Sequence, residues 1–196
     1  MEQRLKERIG RAKFLKLNSL APVFLFTVGS TQDYLMNQLK SEREGEFVMS
    51  EVQTEGRGRE GRKWNSPNGG LWLSITLRPE RPELTDRITG LAAKSVMETL
   101  RDEYSLPGCW IKLPNDVVCN GKKIAGVLVD AILKGKSAIA YVGIGINVNN
   151  RISGDSEIAT TATSYVNETD RKIPIEDLAI ALISRLDENY DNLLKS

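Results

Sequence analysis

Residues 123–148 read KIAGVLVDAILKGKSAIAYVGIGINV. Two apolar runs, 123–133 and 137–148, flank the short break Lys134-Gly135-Lys136, the pattern of two strands joined by a tight turn and therefore paired antiparallel. In the second run a period of two puts Val142, Ile144, Ile146 and Val148 on one face and Tyr141, Gly143, Gly145 and Asn147 on the other. Glycine weakens a strand, so two on one face have two readings. Either another group approaches the backbone closely there, with the Asn147 amide at the end of a side-chain-free floor, or a softened strand packs under a helix.

Outward from this pair, further strands are expected at 23–28 (VFLFTV), 47–53 (FVMSEVQ), 71–77 (LWLSITL) and, short and broken by proline, 110–116 (WIKLPND). Gly29-Ser30-Thr31 supplies a turn and an N-cap for a helix from about Gln32 to Glu42. Residues 84–104 place Ile88, Leu91, Ala92, Ser95, Val96, Thr99 and Leu100 at helical spacing, an amphipathic helix able to cover one face of a sheet. A polar loop over 149–172 leads to Pro174 in the first turn of a closing helix, with Leu178, Ala181, Leu182, Leu186 and Tyr190 on its apolar face. Residues 1–19 are basic, with Ile9, Phe14, Leu15 and Leu17 as packing candidates, and read as a lead-in segment too short for a DNA-binding domain. The 196 residues carry no repeat or linker, so one domain over 1–196 is expected. The fold class is α+β, with a mixed, largely antiparallel central sheet flanked by helices.

Composition removes several kinds of chemistry. With 27 basic and 26 acidic residues the chain is almost neutral, which argues against coating nucleic acid through bulk charge. It has two cysteines and no histidine, so zinc sites of the Cys/His type lack ligands and histidine-based triads are excluded. The run LAPVFLF is too short to span a bilayer and lacks a cleavage pattern. A cytoplasmic protein with neither DNA nor membrane as partner is the expectation.

Against that neutral background, residues 56–64 read GRGREGRKW, with three glycines and three arginines. The spacing satisfies the dinucleotide fingerprint in letters only, because a strand and not a helix follows. A P-loop requires Lys-Ser/Thr where Arg62-Lys63 stands, and the kinase arrangement requires a histidine the chain lacks. Guanidinium pairs bidentately with phosphate or carboxylate, while glycine lets backbone close over a ligand. The stretch is thus an anion clasp or, alternatively, a solvated loop or RNA-binding tract. Lys112, between Ile111 and Leu113, reads as half-buried at a strand end and in need of an anionic partner, or as a surface lysine on an edge strand. Asp116 could pair with it, bind Mg2+, or shape the turn. For Ser30-Thr31-Gln32 an N-cap suffices without any ligand.

Taken together, GSTQ at 29–32, VQTEGRGREGRKW at 52–64, GGLWLSI at 69–75, KLPND at 112–116, GKKIAGVLV at 121–129 and GIGINVN at 143–149 resemble the catalytic domain of biotin protein ligases, over essentially all of residues 20 to 195. The resemblance implies a fold related to class II aminoacyl-tRNA synthetases. It also implies a reaction in which biotin and ATP, with Mg2+, form biotinyl-5′-AMP. Biotin then passes to one lysine of a biotin carboxyl carrier protein, or of such a domain in a biotin-dependent carboxylase. Such a reaction suits a chain without histidine, since the attacking carboxylate is already ionised at neutral pH.

By motif position, the resemblance implies that Ser30, Thr31, Gln32 and Gln53 meet the biotin ring and ureido group, with Gly56, Arg57, Gly58, Gly126 and Gly145 lining the same site. Arg57, Arg59, Arg62, Trp64, Asn115, Lys123 and Asn147 are the implied nucleotide side, with Trp64 beside the adenine. Lys112 and Arg59 are the implied catalytic residues, Lys112 bridging the biotin carboxylate and α-phosphate and Arg59 retaining the adenylate. Asp116 is the candidate for metal. The 55–63 loop is implied to be mobile until it closes over the adenylate.

Three features depart from the family's pattern. Leu113 stands at a usual Trp, Gln32 at a usual Asn, and the chain ends where family members continue into a small C-terminal β-barrel domain. A separate chain supplying that domain, and a homodimer, are both compatible with the resemblance. Without a helix-turn-helix extension no repressor role is expected. Two rival readings share the fold. One is a lipoate or octanoate ligase-type enzyme, whose Arg-Arg and His-Asp signature is absent; the other is a noncatalytic binder of biotin or biotinyl-AMP.

Overall fold

A computed structural model describes residues 21–196, so the lead-in segment expected over 1–19 lies outside the described residues. Its centre is a seven-stranded sheet in the order β1-β2-β3-β7-β6-β5-β4. The strands are β1 (Ala21–Val28), β2 (Glu46–Gln53), β3 (Leu71–Leu77), β4 (Cys109–Lys112), β5 (Asp116–Cys119), β6 (Lys122–Lys134) and β7 (Ser137–Ile146). Only β1 and β2 run parallel; every other neighbouring pair is antiparallel. The 123–148 stretch forms the long hairpin expected of it, in register from Ala125↔Ile146 to Lys134↔Ser137. Because β7 is flanked by β3 and β6 and covered on its apolar face, it reads as a nearly continuous hydrophobic run.

Two helices cover that apolar face. Helix α2 (Thr85–Glu98, extended by a π-helical turn over Thr99–Glu103) and the closing helix, Ile175–Lys195, bury Ile88, Ala92, Val96, Leu100, Leu178, Leu182, Leu186 and Tyr190 against Ile75, Val142, Ile144 and Ile146. Each fully buried aliphatic side chain of this kind contributes about 1.5–3 kcal/mol. Ser95 and Thr99 sit on the buried face of α2 because their hydroxyls donate back to the Leu91 and Ser95 carbonyls, at 2.9 and 2.8 Å. On the opposite face a short helix, α1, runs from an α-turn at Thr31–Asp33 into a π-helical turn at Tyr34–Gln38. It packs Leu35 with Val48, Ile139 and Tyr141, covering one end of the sheet and leaving the middle for the site.

Three elements differ from expectation. Helix α1 ends at Gln38 rather than near Glu42, and the chain reverses at Lys40, which adopts φ 48°. WIKLPND is not one strand but the centre of a hairpin, β4 and β5 being joined through Leu113-Pro114-Asn115 with Lys112 opposite Asp116. The loop over 149–172 contains a helical turn, α3 (Tyr165–Thr169), capped by the Ser164 hydroxyl, which accepts from the Asn167 N–H. The closing helix is α4. No helix among the described residues is long and apolar enough to cross a membrane.

Candidate functional site

The second face of β7 carries the glycines, and the structure shows what approaches them. A Cβ on Gly145 would stand 2.5 Å from the Trp64 indole nitrogen, and one on Gly143 would stand 2.4 Å from Gln32 Oε1. Gly126 lies opposite Gly145 across the β6–β7 ladder, and its own added Cβ would lie 3.1 Å from the same indole. The glycine floor is therefore a fitted seat for one ring and one amide, which decides in favour of close approach. Above and beside it lies a cavity of about 780 Å³, whose wall includes Ser30, Gln53, Lys112, Asp116, Lys123 and Gly145.

One end of the cavity is polar and uncharged. Gln53 Oε1 accepts from both the backbone N–H and the hydroxyl of Thr31, at 2.8 and 2.9 Å, and Gln53 Nε2 donates to Ser66 Oγ at 2.8 Å. Ser74 Oγ lies 2.8 Å from the Thr31 hydroxyl, and Ser30 caps α1 by accepting from Asp33 N–H at 3.3 Å. These bonds orient the Gln53 amide and occupy both lone pairs of its oxygen, leaving one Nε2 hydrogen for a further partner. Gln32 Nε2 donates to the Tyr141 carbonyl at 3.0 Å and to Asp130 at 3.2 Å, with the Leu128 carbonyl at 3.4 Å. The longer amide thus reaches across β7 to β6.

The other end is cationic. Lys123 Nζ lies 2.7 Å from Asp116 Oδ1 and 4.8 Å from the Trp64 ring centroid, so the ammonium is held between a carboxylate and an aromatic face. A bulge in the β5–β6 ladder between Val117 and Val118 lets Asp116 face Gly126 while Val118 faces Lys123. Lys112 lines the same cavity but is exposed, not half-buried, because β4 is the edge strand of the sheet. Among the described residues no carboxylate pairs with Lys112; Asp116 has gone to Lys123. Asn115 donates to the Val127 carbonyl at 2.8 Å and accepts from Arg59 Nη1 at 3.3 Å. Asn147 is buried, and its amide is used internally: it donates to the Thr163 carbonyl and accepts from Asn150, at 3.1 and 3.0 Å.

The Gly/Arg segment is a small hairpin that overhangs the cavity. Trp64 N–H donates to the Gly56 carbonyl at 2.8 Å and Gly58 N–H to the Arg62 carbonyl at 2.7 Å, with Arg57 bridged to Lys63 between them. Gly56 is buried at its root, beside the Trp64 carbonyl and Ser66, and Gly58 lies next to Arg62. At the tip Glu60 and Gly61 have φ of 58° and 73°. The three arginines have separate fates. Arg57 pairs with Asp33 and Asp130, at 2.6 and 3.1 Å, and Arg62 with Glu60 at 3.0 Å. Among the described residues Arg59 has no carboxylate partner and reaches only Asn115.

Most residues expected at the site thus surround one cavity, with Lys123 deeper than Lys112 and Arg57 turned to protein carboxylates. Ser66, Ser74, Asp33 and Asp130 belong to the same network without having been singled out. A signal existed for Asp130, an acid inside the apolar run GVLVDAIL, and for Ser74, a polar residue inside LWLSITL. No group of three His, Cys, Asp or Glu side chains able to hold a metal occurs among the described residues. Asp116, the residue expected for metal, is a single carboxylate and is already paired with Lys123 at 2.7 Å.

A model of the biotin/lipoate A/B protein ligase family matches residues 24–147. The bifunctional ligase/repressor BirA of Bacillus subtilis is 37% identical over 134 residues, covering 66% of this chain and 41% of that protein. The biotin--[acetyl-CoA-carboxylase] ligase of Paracoccus denitrificans is 35% identical over 105 residues, covering 52% of this chain and 44% of that protein. The biotin protein ligase of Aquifex aeolicus, solved in complex with biotin and ATP, superposes with a TM-score of 0.78 at 34% identity, covering 89% of this chain and 72% of that one. The chain spans about two fifths of the length of these curated relatives.

Proposed function

The chain belongs to the biotin/lipoate A/B protein ligase family, and we propose that it activates biotin with ATP as biotinyl-5′-AMP and transfers it to a lysine of a biotin carboxyl carrier protein. The observation that carries the proposal is the two-ended cavity. Its neutral polar end, built on Thr31, Gln53 and Ser66, suits an uncharged ring, and its cationic end, with Lys123, Lys112 and Arg59, suits carboxylate and phosphate together. The likeness to the Aquifex aeolicus ligase, which holds biotin and ATP, supports the same pair of substrates.

In the first step a biotin carboxylate oxygen attacks the α-phosphorus of MgATP, an O–P bond forms, and pyrophosphate leaves. No base is required, because the carboxyl group, with a pKa near ~4–5, is already ionised. What opposes the step is repulsion between two anions, and the cations at that end offset it. Lys123, set between Asp116 and the Trp64 ring, takes the inner position; exposed Lys112 and Arg59 approach from the rim. In the second step a neutral lysine amine of the carrier attacks the acyl carbon, a C–N bond forms, the acyl C–O bond breaks, and AMP leaves as the amine loses a proton. The proposal includes kinship with the class II aminoacyl-tRNA synthetases, which also form acyl adenylates, and a cytoplasmic setting where ATP is available.

Pyrophosphate exchange into ATP, driven in turn by biotin, lipoate and octanoate, is the test. Exchange that depends on biotin and is lost in Lys112→Ala and Lys123→Ala supports the reading. Exchange driven by lipoate or octanoate, or biotin binding without exchange, overturns it in favour of an acyl ligase of different specificity or a noncatalytic binder.

A further inference from the structure

Arg57 lies in the hairpin that overhangs the cavity, yet its guanidinium is spent on the protein. Nη1 lies 2.6 Å from Asp33 on α1 and Nη2 lies 3.1 Å from Asp130 on β6. The same Asp130 oxygen accepts from Gln32 Nε2 at 3.2 Å, so hairpin, helix and sheet meet at one carboxylate. Two negative charges against one positive leave this cluster with no attraction for an anion. A nucleotide phosphate has therefore nothing to gain from Arg57 in this arrangement.

The geometry points to a latch: we propose that Asp33 and Asp130 are positioning residues that grip Arg57 and thereby set where the hairpin tip stands over the cavity. The mechanical link is short. Arg57 bridges Lys63, the next hydrogen bond joins Gly58 to Arg62, and the turn beyond it carries Arg59, which reaches Asn115. Releasing Arg57 frees the middle rung of the hairpin and lets the tip, with Arg59, tilt away from Asn115. The two carboxylates stand on separate elements, so they fix the direction of the guanidinium as well as its distance. All three side chains are about one third exposed, at 38%, 42% and 31% for Arg57, Asp33 and Asp130, so the grip is one that salt can screen. The inference that the latch retains an adenylate rests on the ligase reading; the latch itself does not.

The test uses the full chain carrying Asp33→Asn and Asp130→Asn together, with Asp33→Asn alone and Asp130→Glu as companions. The first readout is tryptic cleavage at Arg59, Arg62 and Lys63 without added ligand, in low and high salt. Two partly exposed pairs predict cleavage roughly threefold to tenfold faster in the double variant at low salt. The wild type should approach that rate at high salt, and Asp130→Glu should restore slow cleavage. The second readout is release of preformed biotinyl-AMP, expected to accelerate by a similar factor, with the KM for biotin raised and kcat for pyrophosphate exchange retained. A double variant with an unchanged melting temperature, unchanged cleavage and unchanged release overturns the latch. If it melts early, Asp33→Asn, at a partly exposed turn, decides by the same cleavage assay. A protein with no affinity for biotin defeats the ligase reading while leaving the cleavage result to judge the latch.

Discussion

The site contains two glycine-rich regions, and their glycines serve opposite ends. On the floor, Gly143 and Gly145 lie in regular strand and are small because Gln32 and Trp64 press on them, with an added Cβ only 2.4–2.5 Å from those side chains. At the hairpin tip nothing lies within 4 Å of where a Cβ on Gly61 would stand, but φ of 73° calls for glycine. The floor is selected by packing and the tip by backbone conformation. A packed surface resists change and a turn gives way, so the two regions should fail differently when altered.

Gly145→Ala should have the largest effect. The indole cannot remain where it is, and overpacking of this sort costs about 1–3 kcal/mol. A lower melting temperature and a roughly tenfold or greater loss of biotin-dependent pyrophosphate exchange are expected together. Normal activity would mean that Trp64 leaves the floor freely and that the fit is incidental. Gly61→Ala should be milder and of another kind: about 1 kcal/mol of conformational cost confined to the tip. The melting temperature should hold while tryptic cleavage of the hairpin and adenylate release both quicken.

Glu60→Gly should act in the opposite sense, since Glu60 holds φ of 58° without being glycine. Relief of that conformation, worth about 0.5–1 kcal/mol, exceeds the exposed pair with Arg62 that is lost. Slower hairpin cleavage is the expected result, and faster cleavage would show that the Glu60–Arg62 pair outweighs the turn. The smallest effect belongs to Tyr190→Phe, remote from both glycine regions. Among the described residues its buried hydroxyl makes no hydrogen bond of good geometry, the Arg78 backbone being its polar neighbour, so removing it should change stability by less than about 1 kcal/mol and leave exchange untouched. A larger loss would show that the core under α4 communicates with the site.

The cysteines bear on the hairpin that carries Lys112. Cys109 and Cys119 face each other across β4 and β5, and both thiols are pushed up, chiefly by burial, Cys109 further by its neighbour. Thiolate is the reactive form, so neither should react with a thiol reagent at mildly alkaline pH until the protein is unfolded. Prompt labelling of the native protein would show that the edge hairpin opens.

Much of this was legible in the chain itself. The long hairpin followed from the two apolar runs around Lys134-Gly135-Lys136 and helix α2 from the spacing of Ile88, Ala92, Val96 and Leu100, while Gly143 and Gly145 sharing a face left two readings, between which Trp64 and Gln32 decided. Strand β5 was not, because Pro114 ended the readable pattern and VVC alone is too short to show a period. Lys112 looked half-buried because its two neighbours are apolar; its exposure follows from β4 lying at the sheet's edge, a property of strand order and not of local pattern.

By itself the amino-acid sequence determined the long strands, the two covering helices and which of their faces are apolar, since each rests on periods of two or 3.6 residues between near neighbours. Which charges meet was decided only in three dimensions. Arg57 could have faced a phosphate as readily as a carboxylate, and Lys123 is far in sequence from Trp64, whose ring it covers. Those pairings exist because the parallel β1–β2 pair brings Thr31 and Asp33 beside Gln53 and the flap, while the register of β6 on β7 places Asp130 under Arg57 and Gly126 opposite Gly145. Charge interacts through space, and only the packed sheet sets those distances.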